Sequence, residues 1–143
     1  MARPAVATHV IDTSAHARVG KPSVDARVAP MLHAGVLATC TVLDLEILRS
    51  ARSPAHFDTV RVERDLLYER LPLEQPIFTR ALEVQQRLAD SGAHRAIPIA
   101  DLVIAAVAEL HGLTLLHYDA DFERIAEITG QGVEWIVPRG SVD

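Results

Sequence analysis

Short apolar runs alternate along this chain with longer segments in which apolar residues recur every three or four positions. The short runs, rich in β-branched residues, predict strands, and the longer periodic segments predict helices. Several of these helices have a proline at the start or a glycine just past the end. The predicted strands cover 7–11, 36–40, 114–118 and 133–137, and the predicted helices cover 23–34, 41–52, 55–69, 76–90, 99–111 and 122–128.

Proline and capping residues refine these boundaries. Ser23 is expected to cap the helix 23–34, and Pro30 inside that segment predicts a kink or a break. A short helical stretch is expected after Asp12, and residues 71–73 are predicted to be extended. Short strands that alternate with longer helices indicate an α/β fold around a mainly parallel sheet.

Composition is typical of one soluble globular domain over residues 1–143, with 49% apolar and 23% charged residues. Cys40 is the only cysteine, which excludes a disulfide framework and a four-cysteine zinc site and suits a reducing compartment. No apolar run approaches the ~20 residues that cross a bilayer, and Met1–His9 is too short and weakly apolar for a signal peptide. We therefore expect a cytoplasmic protein that does not contact a membrane.

Charge limits the kinds of partner that this chain can bind. A formal net charge of -5 argues against a protein that coats nucleic acid by bulk electrostatics. An aromatic content of 4% argues against a platform on which successive bases stack. Any contact with nucleic acid is therefore expected to be local and brief, or assisted by a metal ion.

Carboxylates occur inside apolar segments, where an unpaired charge costs several kcal/mol or becomes protonated. The chain has one lysine, Lys21, to neutralise them. Because the carboxyl ends of parallel strands meet at one crevice, we expect these acids to converge there. Oxygen ligands suit Mg²⁺ or Mn²⁺, and the lack of a cysteine or histidine cluster at ligand spacing argues against zinc. The acids are Asp12, Glu46, Asp101, Asp119 and Asp121.

Each acid also has a structural interpretation. Asp12 and Asp121 are acceptable helix N-caps, and the helix dipole favours Asp101 in a first turn whatever its function. Glu46 is placed to pair with Arg49 or Ser50 on its own helix. The functional interpretation therefore depends on the combination of acids.

Other residues contribute less to the functional prediction. Asp44 lies on the same predicted helix as Glu46 but off the face that would meet the other acids. The seven histidines form no ligand motif, and we expect most of them at the surface. The sequence contains no GxGxxG motif and no P-loop, so it does not support nucleotide-cofactor chemistry.

Four segments that carry the acids resemble, in order, the four motifs of PIN-domain ribonucleases. Their spacing and the chain length are most similar to the VapC-type toxins of bacterial toxin–antitoxin pairs. One such motif is only weakly specific for the family, whereas four motifs in the correct order are a strong indication of it. The segments are Val10-Ile11-Asp12-Thr13-Ser14-Ala15, residues 41–52 around Glu46, residues 99–106 around Asp101, and residues 115–122 around Asp119 and Asp121.

The resemblance implies a three-layer α/β/α sandwich and a Mg²⁺- or Mn²⁺-dependent endoribonuclease that hydrolyses RNA phosphodiester bonds. It also implies a homodimer, inhibited by a VapB-type antitoxin that lays a C-terminal segment across the active site. Asp12, Glu46, Asp101 and Asp119 match the family's acidic quartet. The resemblance leaves open whether Asp119 or Asp121 is the direct metal ligand. Thr13 and Ser14 match hydroxyl positions that hold a water or a phosphate.

Phosphodiester hydrolysis requires an activated water and positive charge at the phosphate, and one or two metal ions provide both. Our hypothesis is that Asp12 and Asp101 hold the principal ion, and that Glu46 and Asp119 position water or a second ion. The cationic residues expected near the rim, where they would steer RNA, are Arg49, Arg52 and Lys21.

The acidic segments have three other possible functions. A receiver domain phosphorylated at Asp12 would need paired acids after the first strand and a lysine after a late strand, and the chain has neither. In a haloacid-dehalogenase-like phosphatase, the Asp119-Ala120-Asp121 motif would come far too late in the chain. A catalytically inactive PIN-like binding scaffold is the alternative that remains.

Overall fold

The structure is a computed structural model that describes residues 6–143, so the first five residues of the predicted domain lie outside it. Seven helices and five strands occur within the described part. In chain order they are β1 (His9–Ile11), α1 (Thr13–His16), α2 (Pro22–Ala34), β2 (Leu37–Thr39), α3 (Thr41–Arg49), α4 (Pro54–Leu67), β3 (Glu69–Arg70), α5 (Gln75–Asp90), α6 (Ile99–Leu110), β4 (Thr114–His117), α7 (Ala120–Thr129) and β5 (Val133–Trp135).

The five strands form one sheet in the order β3-β2-β1-β4-β5, and every pairing is parallel. Strand β1 lies at the centre, where Val10 is paired with Ala38 on one side and Leu115 on the other. Parallel pairing requires a crossover between strands, and helices provide those crossovers here. The predicted α/β class with a mainly parallel sheet is confirmed.

Two apolar clusters cover the two faces of the sheet. Val10 and Leu115 belong to the cluster that includes α5, α6 and α7, whereas Ile11 and Leu116 belong to the cluster that includes α2. Successive strand residues point to opposite faces, so β1, β2 and β4 each contribute to both clusters. Strands buried on both faces have continuous apolar sequences, and the sandwich has three layers.

Helix α2 differs from its prediction in two respects. Helix α2 begins at Pro22 with Lys21 as its N-cap, so Ser23 is not the cap. Proline is well suited to the first helical position, where its missing N–H has no partner in any case. Of the kink or break predicted at Pro30, the break does not occur, because one helix runs from Pro22 to Ala34 through that residue. The buried residues Val24 and Val28 of this helix pack in the second apolar cluster.

The edge strand β3 was not predicted as a strand. Glu69 and Arg70 are both exposed, so they lack the apolar pattern of a buried strand. They pair with Ala38 and Thr39 at the sheet edge, and the Leu71 N–H continues the pairing with the Thr39 carbonyl at 2.8 Å. Charged residues are common on edge strands, where they oppose pairing with other chains.

Among residues 6–143, no helix combines the length and the apolar character needed to cross a membrane.

Candidate active site

The acidic residues come together because β1 and β4 are parallel neighbours. Asp12 follows β1 and Asp119 follows β4, so both lie at the same edge of the sheet. The Asp12 N–H donates to the Leu116 carbonyl at 2.9 Å, which extends the pairing to the start of α1. Glu46 comes from α3 and Asp101 from the first turn of α6. This edge is where parallel α/β sheets gather functional groups.

Asp12 has one carboxylate oxygen engaged and one without a partner. It is 3% exposed and is the N-cap of α1. Its Oδ2 accepts from the Ser14 backbone N–H at 2.8 Å and from the Ser14 hydroxyl at 2.6 Å. Its Oδ1 is buried and has no hydrogen-bond partner within residues 6–143. The capping interpretation is therefore correct for Asp12, but it accounts for only one of its two oxygens.

Asp101, Asp119 and Asp121 each place an oxygen within 4.8 Å of the other two. The Oδ1 atom of Asp119 also accepts from the Asp121 backbone N–H at 2.9 Å, which makes Asp119 the N-cap of α7. The sequence-based suggestion that Asp121 is the cap is therefore wrong. Asp119 takes that position because its extended backbone directly precedes Ala120, the first residue of the helix.

Asp101 is the electrostatic centre of the site. Burial raises the pKa of Asp101 to about 7, and four neighbouring carboxylates add to this increase. An acid that meets like charges in a desolvated site loses part of its preference for the ionised form. In decreasing order of effect, the four neighbours are Asp12, Asp119, Glu46 and Asp121. The other four predicted acids therefore all lie within electrostatic reach of Asp101.

The pKa values of two further carboxylates of the cluster, Asp12 and Asp121, are also raised. Burial also raises the pKa of Asp12, and the charge of Glu46 contributes to that increase. The pKa of Asp121 is raised by burial and by Asp119, while Arg124 partly opposes the shift. No salt bridge within the described residues involves any of the five acids. Their charge is uncompensated by ion pairing in that part of the chain.

Thr13 and Ser14 donate their hydroxyl hydrogens to the carboxylates. The Thr13 hydroxyl donates to Glu46 Oε1 at 2.9 Å, and the Ser14 hydroxyl, bonded to Asp12, also accepts from the Tyr118 N–H at 2.9 Å. Both hydroxyls therefore orient acids in this arrangement. Among the described residues, Glu46 forms no ion pair with Arg49, and the Ser50 hydroxyl donates to the Ile47 carbonyl.

Asp44 lies in separate surroundings, away from this cluster. Its carboxylate accepts from Arg64 Nε at 2.6 Å, from Arg70 Nε at 2.7 Å and from the Thr39 hydroxyl at 3.0 Å. These arginines lower the pKa of Asp44, although burial alone would raise it. Asp44 is thus a structural acid, in agreement with its exclusion from the predicted site.

The predicted cationic residues lie on the surface. Arg49 ends α3, Arg52 follows it, and Lys21 precedes α2, and all three are exposed. Arg49 and Arg52 line a surface depression together with Leu48 and Phe57. No hydrogen bond of the described residues joins these arginines to the carboxylates, so the structure does not bring them into the acidic cluster itself.

One histidine at the site was missed by the sequence prediction, which expected most histidines at the surface. His117 is fully buried at the end of β4, and its ring lies against Phe122 and Trp135. Its Nδ1 accepts from the Asp119 N–H at 3.2 Å. A polar ring inside the apolar run 114–118 was the available signal, because buried polar groups require partners.

The donor set fits a hard divalent cation. All the ligand candidates are carboxylate oxygens, one of them an orphaned buried atom of Asp12. Mg²⁺ and Mn²⁺ favour such oxygens and retain several waters. The arrangement therefore has the donor chemistry of a divalent-cation site.

Comparison with known proteins shows the family of this chain. Residues 9–128 match the PIN domain, so the chain belongs to the PIN-domain family. Ribonuclease VapC21 of Mycobacterium tuberculosis is 44% identical over 133 residues, covering 93% of this chain and 96% of the relative. Ribonuclease VapC18 of the same organism is 46% identical over 134 residues, covering 92% and 97%.

A solved structure shares the fold. DNA-bound VapBC from Salmonella typhimurium superimposes with a TM-score of 0.73 at 18% identity, covering 92% of this chain and 99% of that chain. At that identity the likeness concerns the fold alone. The predicted three-layer architecture and the resemblance to PIN domains are both confirmed.

Proposed function

We propose that this protein is a Mg²⁺- or Mn²⁺-dependent endoribonuclease and the toxin component of a type II toxin–antitoxin system. The observation that carries the proposal is the convergence around Asp101 of carboxylates from four segments. None of these carboxylates forms a salt bridge within the described residues. Membership of the PIN-domain family and whole-length relatives named as ribonucleases support this function.

Asp12 and Asp101 are the proposed ligands of the principal ion. Ser14 holds one oxygen of Asp12, which leaves the other free to bind the cation. A bound Mg²⁺ or Mn²⁺ supplies positive charge to the phosphate and lowers the pKa of water. Asp101 is protonated more readily than an ordinary aspartate, so its affinity for the ion falls as the pH drops below about 7.

Glu46 and Asp119 are the proposed groups that position water or a second ion. The Thr13 hydroxyl orients Glu46, and the Asp121 N–H orients Asp119. Each acid thus has one oxygen fixed by a donor and a second oxygen for the reaction. Asp121 completes the ligand set on the side of α7.

RNA is the proposed substrate, and its approach is governed by charge. Removing five site acids from the net charge of -5 leaves the rest of the chain at 0, so neutralising the centre removes most of the repulsion. Exposed Arg49, Arg52 and Lys21 are the proposed contacts for the phosphate backbone. Such contacts contribute affinity without base specificity.

A VapB-type antitoxin is the proposed partner, and a homodimer the proposed assembly within a cytoplasmic toxin–antitoxin complex. The solved structures that share this fold include VapBC complexes from Salmonella typhimurium and Haemophilus influenzae. The proposed inhibitory contact is a C-terminal antitoxin segment laid across the acidic site.

RNA cleavage by the Asp101→Asn protein tests the activity. The wild-type protein is expected to cleave single-stranded RNA with Mn²⁺ and to stop when EDTA is added. Asp101→Asn is expected to reduce the rate at least ~100-fold, because a bound metal contributes several kcal/mol to the transition state. Asp90→Asn, at the exposed end of α5, is the matched control and should retain the wild-type rate. Wild-type activity in Asp101→Asn would exclude that residue from the mechanism.

Metal titration separates the nuclease from an inactive PIN-like scaffold. A nuclease centre binds Mn²⁺ through Asp12, so Asp12→Ala should weaken binding measured by calorimetry. A scaffold would bind Mn²⁺ no better before this substitution than after it.

A further inference from the structure

We propose that His117 is a positioning residue that sets the conformation of Asp119 by accepting a hydrogen bond from its backbone N–H. The structural part of this proposal depends only on the chain itself. Its consequence for metal binding rests on the function proposed above. The interaction joins the last residue of β4 to the N-cap of α7, across the turn that carries the acidic pair.

The contacts of His117 are well defined on all sides. The Asp119 N–H donates to Nδ1 at 3.2 Å, and Nε2 lies 3.2 Å from Glu123 Oε1. The ring centroid lies 4.9 Å from that of Trp135 and 5.5 Å from that of Phe122. Packing from two aromatic rings and polar contacts at both nitrogens leave the imidazole a single orientation.

The hydrogen bonds determine which nitrogen carries the proton. Because Nδ1 accepts from the Asp119 N–H, a neutral ring must carry its hydrogen on Nε2. That hydrogen is then donated to Glu123, a partly exposed residue in the first turn of α7. Glu123 therefore orients the ring, and the ring orients the Asp119 backbone.

This relay acts on the acid itself. Asp119 has an extended backbone, with φ -147° and ψ 123°, and its Oδ1 accepts from Asp121 N–H. If the turn loosened, the carboxylate of Asp119 would no longer remain beside Asp101. Groups that orient metal ligands typically change metal affinity by about 10–100-fold when they are removed.

Two substitutions distinguish an acceptor from a packing group. His117→Asn keeps a side-chain acceptor near the Nδ1 position but loses the ring contacts with Phe122 and Trp135. His117→Leu keeps apolar volume beside those rings but has no acceptor. The positioning role therefore predicts that Asn preserves the site better than Leu, and a packing role predicts the reverse order.

The first measurement uses metal-free protein. Amide hydrogen exchange at Asp119 should be at least ~10-fold faster in His117→Leu than in the wild type, with His117→Asn between them. Nitrogen-15 spectra of the wild-type His117 ring should show the tautomer with hydrogen on Nε2. Equal exchange in all three proteins, or hydrogen on Nδ1, would overturn the proposal.

The second measurement is the Mn²⁺ dissociation constant by electron paramagnetic resonance. We expect an increase of about 10-fold for His117→Leu and a smaller one for His117→Asn. If Mn²⁺ binding were weakened equally in His117→Leu and His117→Asn, His117 would have a packing role and the positioning role would be contradicted. A wild-type protein that binds no Mn²⁺ would refute the proposed metal centre, whereas the exchange rates would still support the His117–Asp119 interaction.

Glu123→Gln and Glu123→Ala provide a second pair in case the His117 variants fail to fold. Gln retains an acceptor for Nε2, whereas Ala has none, and the Glu123 side chain is 43% exposed, so both proteins should fold. We expect amide hydrogen exchange at Asp119 to be faster in Glu123→Ala than in Glu123→Gln. Identical exchange in the two proteins would show that the ring needs no anchor and would contradict the relay.

Discussion

Helix α3 carries two acidic side chains, two residues apart, that meet opposite electrostatic surroundings. Asp44 is bound by Arg64 and Arg70, and its pKa is lowered. Glu46 accepts from the Thr13 hydroxyl and contributes to the raised pKa of Asp101. Two residues correspond to about 200° around a helix, so the two side chains leave it on nearly opposite sides.

The difference separates an acid that is neutralised by its neighbours from the acids that are proposed to bind a metal ion. A buried ion pair satisfies its own charge and needs no ligand, whereas a cluster of desolvated carboxylates destabilises the fold until a cation binds. Strongly perturbed groups that converge in one place are a recognised signal of function. The Asp44 network and the Asp101 cluster should therefore respond in opposite ways to loss of charge, to pH and to metal.

The largest effect is expected for Asp44→Asn. Arg64 is 2% exposed and would lose its anion, and removing one partner of a buried pair costs about 3–5 kcal/mol of folding free energy. Urea denaturation measures this loss. Asp65→Asn, which removes only an exposed partner of Arg70, is the control and should have a far smaller effect. Equal effects would show that the network contributes no more than a surface pair.

In metal-free protein, Asp101→Asn should increase the free energy of unfolding, whereas Asp44→Asn decreases it. The folded pKa of Asp101, about 7, lies above its ordinary value of 3.8, so the wild type loses stability as the pH rises from about 4 to 7. The neutral variant avoids that penalty and should be more stable at pH 8, by on the order of 2–4 kcal/mol. Urea denaturation with EDTA at pH 4 and pH 8 measures the difference. A variant less stable than wild type at pH 8 would contradict the assignment.

Mn²⁺ should stabilise the protein through the cluster alone. At a concentration 100 times the dissociation constant, binding to the folded state adds about 2.7 kcal/mol. Asp44→Asn should gain the same increment at pH 8, because its substitution lies outside the cluster, whereas Asp12→Ala should gain much less. Denaturation with and without Mn²⁺ provides the measurement. Loss of the increment in Asp44→Asn would link the two regions.

The smallest effect is expected for Arg70→Ala. The Arg70 side chain is 38% exposed, and Asp44 keeps its contacts with Arg64 and Thr39 when Arg70 is removed. Screened, partly exposed pairs contribute about 1 kcal/mol or less. A loss of several kcal/mol would mean that Asp44 depends on Arg70 as much as on Arg64.

Local sequence patterns were sufficient for most of the elements. Strands β1, β2, β4 and β5 lie within the predicted runs. Strands such as β2, which are buried on both faces, have continuously apolar sequences that are easily detected. The exposed pair Glu69 and Arg70 has no such pattern, and only pairing with β2 makes it a strand. Helix boundaries were predicted less accurately, since α3 ends at Arg49 rather than at residue 52.

The sequence by itself determined that acids would gather at one edge of a parallel sheet. Asp12 and Asp119 follow predicted strands, and parallel strands have their carboxyl ends on the same side. Only the tertiary structure decided which buried charges are compensated. Arg64 lies 20 residues from Asp44, and His117 meets Asp119 only once the turn after β4 has formed. Such pairings depend on distances between elements, which the local pattern of a single chain does not contain.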